Sequence, residues 1–315
     1  MWVVRSIEEV EKERNSVVTV GTFDGVHVAH QEIIREVVHR ARMREGRSVV
    51  VTFDPHPKEV VGNYAEPIHL LTTIDERIAL LKAMHIDLVL ILHFTYEFSR
   101  QSARDFYARY LVNGTGVSEV VVGYDHMFGR DRQGTIELLV RMGKEFDFSV
   151  VAIHPLTVHG EVVSSTQVRR ALLAGEVEKA RAFLGRNYSL SGTVVPGDGR
   201  GKMIGFPTAN LNVHGLKKLV PARGVYLVAV EVEGKHHFGM MNIGVRPTLT
   251  DGLQQTVEVH ILDFDGELYG KNMTVGFLKR LRSEQKFASA QELVAQLHAD
   301  REQSRKLIHE FVHQR

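Results

Sequence analysis

Val20 to Gln31 read VGTFDGVHVAHQ, and within this segment His27 and His30 stand three residues apart behind a Gly-rich turn. An apolar strand running through such a turn into a helix presents unpaired backbone N–H groups and the positive end of a helix dipole. Gly21 to His30 therefore suits the phosphates of a nucleotide. At i and i+3 the two imidazoles share one helical face and can hold the same phosphates from the side. Taken alone, the segment also reads as a buried strand–turn–helix with two surface histidines.

Two further segments carry polar groups in patterned order. Ser164, Ser165 and Thr166 place three hydroxyls, and Arg169 a guanidinium, at the start of a helical pattern from Val168 to Leu173. Hydroxyls cap such a helix and an Arg forks onto a phosphate, although an ordinary N-cap beside a solvated Arg is the simpler reading of the segment alone. Pro196 to Asn210 holds four glycines in nine residues and ends in Pro207-Thr208-Ala-Asn210. It is not a Walker A loop: Met203 follows Lys202, no helical pattern begins there, and the glycine spacing fails at Pro196. Nor is it G-x-G-x-x-G, since Ile204 takes the last place after Gly199 and Gly201. What remains is a flap rich in accessible backbone, with the cations Arg200 and Lys202, able to close over phosphates. Thr208 and Asn210, two apart on an extended segment, point to one side and offer oxygen ligands to Mg²⁺. Glu258 alternates with Val257 and Val259, so its carboxylate faces away from its apolar neighbours. A surface carboxylate on a half-exposed strand is the alternative.

The elements that must position these groups divide the chain in two. Val17–Val20, Ser48–Phe53, Leu88–Leu92, Val120–Val122 and Ser149–Ile153 are short runs rich in Val and Ile that read as buried parallel strands. Helical stripes lie between them, among them Ile33, Ile34, Val37, Val38 and Ala41, and a helix led by the capping box Thr73-Ile-Asp-Glu76. Strand alternating with helix predicts a doubly wound parallel α/β domain, whose ligands sit at the carboxyl ends of its strands. After Leu184-Gly-Arg the pattern changes. Tyr188–Val195, Gly224–Val232, His237–Ile243 and Gln255–Asp263 alternate or run β-branched between Gly, Pro and Asp turns, which predicts a small antiparallel β-barrel. A second capping box, Ser289-Ala-Gln-Glu292, leads a C-terminal helix with a break expected near Asp300, packed on the barrel through Leu293, Val294, Leu297, Ile308, Phe311 and Val312. The expected domains are 1–185 and 186–315.

Composition narrows the classes. The chain has 315 residues, beyond the usual size of a single core, and 43% hydrophobic content. Its 39 basic and 38 acidic residues nearly cancel, with no basic run, so nucleic acid is not an expected partner. There is no Cys, which excludes disulfides, thiolate metal sites and cysteine nucleophiles and fits a reducing, cytoplasmic setting. The N-terminus lacks a hydrophobic region of signal-peptide length, and no stretch reaches a membrane span, so no membrane partner is expected. The adjacent His236 and His237 point to opposite strand faces beside an expected hairpin turn at Glu233-Gly-Lys235, and His309 and His313 read as solvated.

The motifs also carry a family resemblance. Gly21–His30 resembles the turn of the H-x-G-H nucleotidyltransferases, with Ala29 where that superfamily has Gly. A right-handed helical Ala29 would be tolerated by the backbone. Ser164–Arg169 resembles the I-S-S-T-x-x-R element of flavin adenylyltransferases, and Phe53-Asp-Pro-His-Pro57 and Val122–Gly129 agree with that family. Pro196–Asn210 resembles the riboflavin kinase signature G-x-x-x-G-x-x-x-G-F-P-T-A-N. Arg223-Gly-Val-Tyr226, Asn242–Thr248, Glu258–Phe264 and Leu268-Tyr-Gly270 follow in that family's order.

With two motif sets in two predicted domains, the chain resembles the bacterial bifunctional riboflavin kinases/FMN adenylyltransferases. The resemblance implies ATP, riboflavin and FMN as small-molecule substrates and Mg²⁺ as cofactor. It implies that Gly21, Phe23, Asp24, Gly25, Ser164, Ser165 and Thr166 bind ATP for adenylyl transfer, with His27, His30 and Arg169 catalytic. It implies that Gly199, Gly201, Lys202, Gly205, Pro207, Thr208 and Asn210 bind ATP for the kinase step. Thr208 and Asn210 would hold metal, Asp125 and Asn242 would contact flavin, and Glu258 would take the proton of the ribityl hydroxyl. A kinase whose adenylyltransferase is disabled by Ala29, and a flavin-binding module without catalysis, are the competing expectations. A class I aminoacyl-tRNA synthetase shares the turn, but the chain has no K-M-S-K-S segment.

Overall fold

A computed structural model describes residues 1–62, 68–124, 127, 134–197, 199–213, 217–247 and 253–313. The chain forms two compact units, Met1–Ser165 and Thr166–Arg315.

In the first unit the elements run β1 (Trp2–Val4), β2 (Ser16–Val20), α1 (Val28–Met43), β3 (Ser48–Asp54), α2 (Pro57–Val61), α3 (Ile74–Ala83) and β4 (Leu88–His93). Two one-turn helices, α4 (Tyr96–Ser99) and α5 (Ala103–Phe106), lead into a wide helical turn at Tyr107–Thr115. Then come β5 (Val117–Gly123), α6 (Ile136–Phe146), β6 (Ser149–Ile153) and the two-residue pair β7 (Thr157–Val158) and β8 (Glu161–Val162). The six main strands form one parallel sheet in the order β1-β4-β3-β2-β5-β6. Successive residues of each strand feed opposite layers: Val18, Val20, Val49 and Val51 enter one core, and Val17, Val50, Val89 and Val121 the other. Burial on both faces is why these strands are almost continuously apolar. The chain order reverses between β2 and β5, so the crevice at their carboxyl ends is the switch point where doubly wound sheets hold ligands. The expected α/β domain is therefore present, with one strand beyond expectation. β1 is only three residues long and exposed at the sheet edge, too short to show a period.

The second unit begins within α7 (Ser165–Ala174) and continues with α8 (Val177–Leu184), which ends on Gly185 at φ 68°. Then follow β9 (Ser189–Val195), the single turn α9 (Arg200–Met203), β10 (Ala209–Asn212), β11 (Gly224–Val232), β12 (Lys235–Pro247), β13 (Leu253–Ile261), β14 (Asn272–Arg282) and α10 (Ala290–His313). The six strands close as a barrel, β10-β13-β12-β11-β14-β9, antiparallel throughout. The β11–β12 hairpin turns at Glu233 and Gly234, both at positive φ, the two-residue geometry that suits twisted strands. β14 was not anticipated, because its apolar residues are interrupted by lysine and arginines.

The C-terminal helix corrects one expectation, for α10 is continuous through Asp300. Asp300 is 1% exposed and is held by Arg282 of β14, with contacts of 2.9–3.1 Å, and by Gln296 at 2.8 Å. A paired carboxylate does not break a helix. Leu297 and Ile308 pack α10 against Phe206, Phe238, Met240 and Leu262, as expected for a helix on the barrel.

Candidate active sites

The turn after β2 is built on unusual backbone. Phe23 and Val26 have φ of 47° and 38°, a region that side chains, and branched ones above all, occupy at a cost of about 1–3 kcal/mol each, and Gly25 has φ 84°. A buried network holds it there. The Asp24 carboxylate is fully buried and accepts from the amides of Leu71 (3.0 and 3.1 Å) and Thr72 (3.0 Å) and from the Thr72 hydroxyl (3.1 Å). Thr72 Oγ1 also accepts from the Gly25 amide at 3.0 Å, and Ser165 Oγ donates to the Asp24 carbonyl at 2.8 Å. The Asp24 carboxylate thus supports the turn from below.

The turn delivers both histidines to the start of α1. His27 is the N-cap; its Nδ1 accepts from the His30 amide at 3.3 Å, which leaves the ring proton of the neutral form on Nε2. The two rings stack with centroids 3.6 Å apart, and Phe23 meets His30 edge-on at 5.1 Å. Burial first, then the neighbouring His27 and Arg77, push the His30 pKa well below the ordinary histidine value, so His30 is neutral at pH 7. Its Nδ1 is buried with no hydrogen-bond partner. Ala29 lies within the first turn of α1, in the right-handed conformation its methyl group tolerates. The amides at this first turn lack intrahelical acceptors.

Other predicted residues of this region stand as follows. His56 is buried and caps α2, its Nδ1 accepting from the Lys58 amide at 3.1 Å. Asp125 and His126 lie outside the described residues. Thr166 and Arg169 are on α7 and belong to the second compact unit, whereas Ser164 and Ser165 belong to the first. Sequence reasoning missed Arg77, Thr52 and Thr72. For Arg77 a signal existed: it stands four residues before the buried Leu81, a cation on the apolar side of α3.

In the barrel, strand register assembles the site. Glu258 faces Asn210 across β10–β13 and Asn242 across β12–β13, while its neighbours Val257 and Val259 are buried. Thr208 Oγ1 lies 3.4 Å from a Glu258 carboxylate oxygen, longer than a strong hydrogen bond. Thr208, Asn242 and Glu258 line a cleft of about 360 Å³ together with Gly201, Phe206, His260, Arg282 and Asp300. His260 was missed, although it is two residues from Glu258 on the same strand face; its Nδ1 is 2.8 Å from the Pro207 carbonyl.

Two of the flap glycines, Gly197 and Gly201, sit at close approach, whereas Gly199 and Gly205 stand in open space at positive φ. A Cβ on Gly197 would lie 2.0 Å from Asn210 Nδ2, and one on Gly201 2.3 Å from the Phe206 carbonyl oxygen. Lys202 sits in the single turn α9, which Gly199 opens at φ 70° and which ends at Met203. The flap is therefore partly helical, where no helical pattern was expected. Gly199, Gly205 and Asn210 are not among the residues lining the cleft.

Comparison with known proteins bears on both sites. A family model described as FAD synthetase matches residues 9–167, and one described as riboflavin kinase matches residues 184–308. A bifunctional riboflavin kinase/FMN adenylyltransferase of Pseudomonas fluorescens is 38% identical over 314 residues, covering 99% of this chain and 100% of that one. The chain belongs to the bifunctional riboflavin kinase/FMN adenylyltransferase family. The Listeria monocytogenes member is 36% identical over 291 residues, 92% of each chain. A crystal structure from Streptococcus pneumoniae, titled a macrolide-efflux protein, superposes with a TM-score of 0.88 at 34% identity over 96% of this chain and 98% of that one. Among the described residues no helix is long and apolar enough to cross a membrane. As a family member the enzyme phosphorylates riboflavin to FMN with ATP and adenylylates FMN with ATP to FAD, releasing pyrophosphate.

Proposed function

We propose that residues 1–185 carry out adenylyl transfer at the Gly21–His30 turn and residues 186–315 the kinase step at the barrel cleft, with the residue roles that follow. The observation that carries the kinase assignment is the convergence of Glu258, Thr208 and Asn242 on one cleft. Glu258 accepts the proton of riboflavin's terminal ribityl hydroxyl, whose oxygen attacks the γ-phosphorus of ATP as ADP leaves. Asn242 orients the flavin, and the Gly197–Gly205 flap with Lys202 covers the phosphates.

In the first site the amides at the start of α1, the Nε2–H of His27 and the neutral His30 surround the ATP phosphates. There a phosphate oxygen of FMN attacks the α-phosphorus and pyrophosphate departs. These groups act by positioning and by stabilising charge as it develops, with no covalent intermediate. The family resemblance gives Arg169 and the hydroxyls of Ser164, Ser165 and Thr166 the departing pyrophosphate, and Asp125 the flavin phosphate.

The donor set of the barrel fits Mg²⁺. Thr208 presents a hydroxyl oxygen in the cleft beside the Glu258 carboxylate, and Asn210, paired with Glu258 across the strands but not lining the cleft, carries an amide oxygen; all are hard donors. Among the described residues no cluster of three His, Cys, Asp or Glu forms a protein-only cage. Mg²⁺ keeps few protein ligands and several phosphate or water oxygens, which matches so sparse a set. When bound it neutralises phosphoryl charge. Thr208 and Asn210 would hold it. A cytoplasmic setting, with no nucleic-acid or membrane partner, accords with the absence of Cys and the near-balanced charge.

Single substitutions test the division. Glu258→Ala lowers FMN formation by about 10²–10⁴-fold and leaves FAD formation from supplied FMN intact. His30→Ala does the reverse, by about 10²-fold or more. Product analysis by chromatography from riboflavin and from FMN reads both, and loss of both activities in either variant overturns the assignment of separate sites.

A further inference from the structure

Arg77 is 2% exposed, the largest of the fully buried side chains, and none of the roles above uses it. Its Nη1 donates to Thr52 Oγ1 and to the Phe53 carbonyl, both at 3.2 Å. The Thr52 hydroxyl in turn donates to the Thr22 carbonyl at 3.2 Å, inside the Gly21–His30 turn. Guanidinium, hydroxyl and turn carbonyl thus form one directed chain from α3 through the end of β3 to the turn. Arg77 Nε is buried with no acceptor.

The surrounding charge gives this guanidinium a second task. Asp24, Asp54 and Glu59 act on it from three elements, yet each is engaged elsewhere. Asp24 accepts from Leu71 and Thr72, Glu59 from the His56 amide at 3.0 Å, and Asp54 lies 3.9 Å from Arg5. No described carboxylate makes an ion pair with Arg77. A buried cation whose hydrogen bonds go to neutral oxygens is expensive to keep for architecture, since an apolar side chain would fill the space without the desolvation cost. It is useful where three carboxylates would otherwise repel a triphosphate.

We propose that Arg77 is a positioning residue for adenylyl transfer: through Thr52 it holds the end of β3 to the phosphate-binding turn, and its charge offsets Asp24, Asp54 and Glu59 so that the turn accepts ATP. The proposal rests on the assignment of adenylyl transfer to this turn. It is tested in the full-length enzyme with Arg77→Met, Arg77→Lys and Thr52→Val, measuring FMN adenylylation against ATP concentration and pH. Riboflavin phosphorylation by the same chain serves as control. Arg77→Met lowers kcat/KM for ATP by about 100-fold, chiefly through KM, and moves the acid limb of the pH profile upward because His30 loses a cationic neighbour. Charge retention keeps Arg77→Lys within about tenfold of the parent, with an unmoved acid limb, and Thr52→Val loses activity without moving that limb.

Arg77→Met with both kcat/KM and acid limb within about twofold of the parent overturns the proposal, as does Arg77→Lys falling as far as Arg77→Met. Should Arg77→Met not fold by circular dichroism, the other two variants decide. A loss confined to adenylylation supports the proposal, and parental kcat/KM in both overturns it. His30→Ala separates the two levels: full adenylylation in that variant sinks the site assignment itself, whereas its loss beside an unaffected Arg77→Met sinks only the role of Arg77.

Discussion

The two units build their candidate ATP sites in opposite ways. In the barrel, side-chain alternation and strand register do the placing: Asn210, Glu258 and Asn242 come together because β10, β13 and β12 pair at those positions. In the parallel unit, a backbone turn does it, and the turn holds its shape only because buried polar groups distant in sequence support it. Leu71 and Thr72 grip Asp24, and Arg77 reaches the turn through Thr52. A site made from register depends on the whole sheet and tolerates local change in loops, whereas a site made from a strained turn depends on a few buried hydrogen bonds. The barrel has one local weakness, the glycines of its flap.

Three experiments sharpen that contrast. The largest effect is expected from Gly197→Ala, where the new methyl group would meet Asn210 Nδ2 at 2.0 Å and must displace it. Riboflavin phosphorylation should fall by about tenfold or more, as small misplacements at a transferring phosphate do, while adenylylation stays at the parental rate. Steady-state assays of each half-reaction check this, and equal losses in both would break the comparison.

Next comes Asp24→Asn, which removes acceptor capacity where two amides and a hydroxyl converge. The first unit should lose about 1–3 kcal/mol, the cost of a buried donor left without a partner. Urea unfolding followed by hydrogen exchange in the two units would show the loss in β2 and its neighbours and none in the barrel. A loss shared equally would contradict the independence of the two supports.

The smallest effect is a pH dependence. His30 has a folded-state pKa well below its unfolded value near 6.5. Below that unfolded value the unfolded chain binds a proton that the folded chain does not, so stability present above about pH 6.5 is lost as pH falls towards the folded pKa. Thermal unfolding of the parent should show this acid limb for the first unit, and His30→Asn should flatten it. An unchanged limb in that variant would assign the titration to another group.

Much of this was legible in the residues. Five of the six parallel strands and the main barrel strands stood out because buried strands are apolar in runs and half-buried ones alternate. The first capping box was readable, for Thr73 and Glu76 make the expected reciprocal bonds at 3.0 and 3.2 Å; in the second, Ser289 accepts from the Glu292 amide at 3.2 Å but the Glu292 carboxylate accepts from Ala288 instead. The break placed at Asp300 failed because a charge inside an apolar stripe was read without its partner. Arg282, eighteen positions away on β14, supplies that partner. β1 and β14 escaped notice for related reasons, one being too short for a period and the other interrupted by cations that find acceptors only in the folded protein. His260 was overlooked beside Glu258 even though the period of two marks it.

By itself the sequence determined what depends on neighbours along the chain: the strand and helix patterns, the flap glycines, the turn that ends at His27 and His30, and the family to which they point. The tertiary structure decided what depends on groups far apart. It set which face each carboxylate meets, that Asp24 supports the turn from within, that His30 is neutral, and that Arg77 stands beside three acids. The physical reason is that burial and electrostatic environment are properties of everything packed around a group, and no local pattern of residues encodes them.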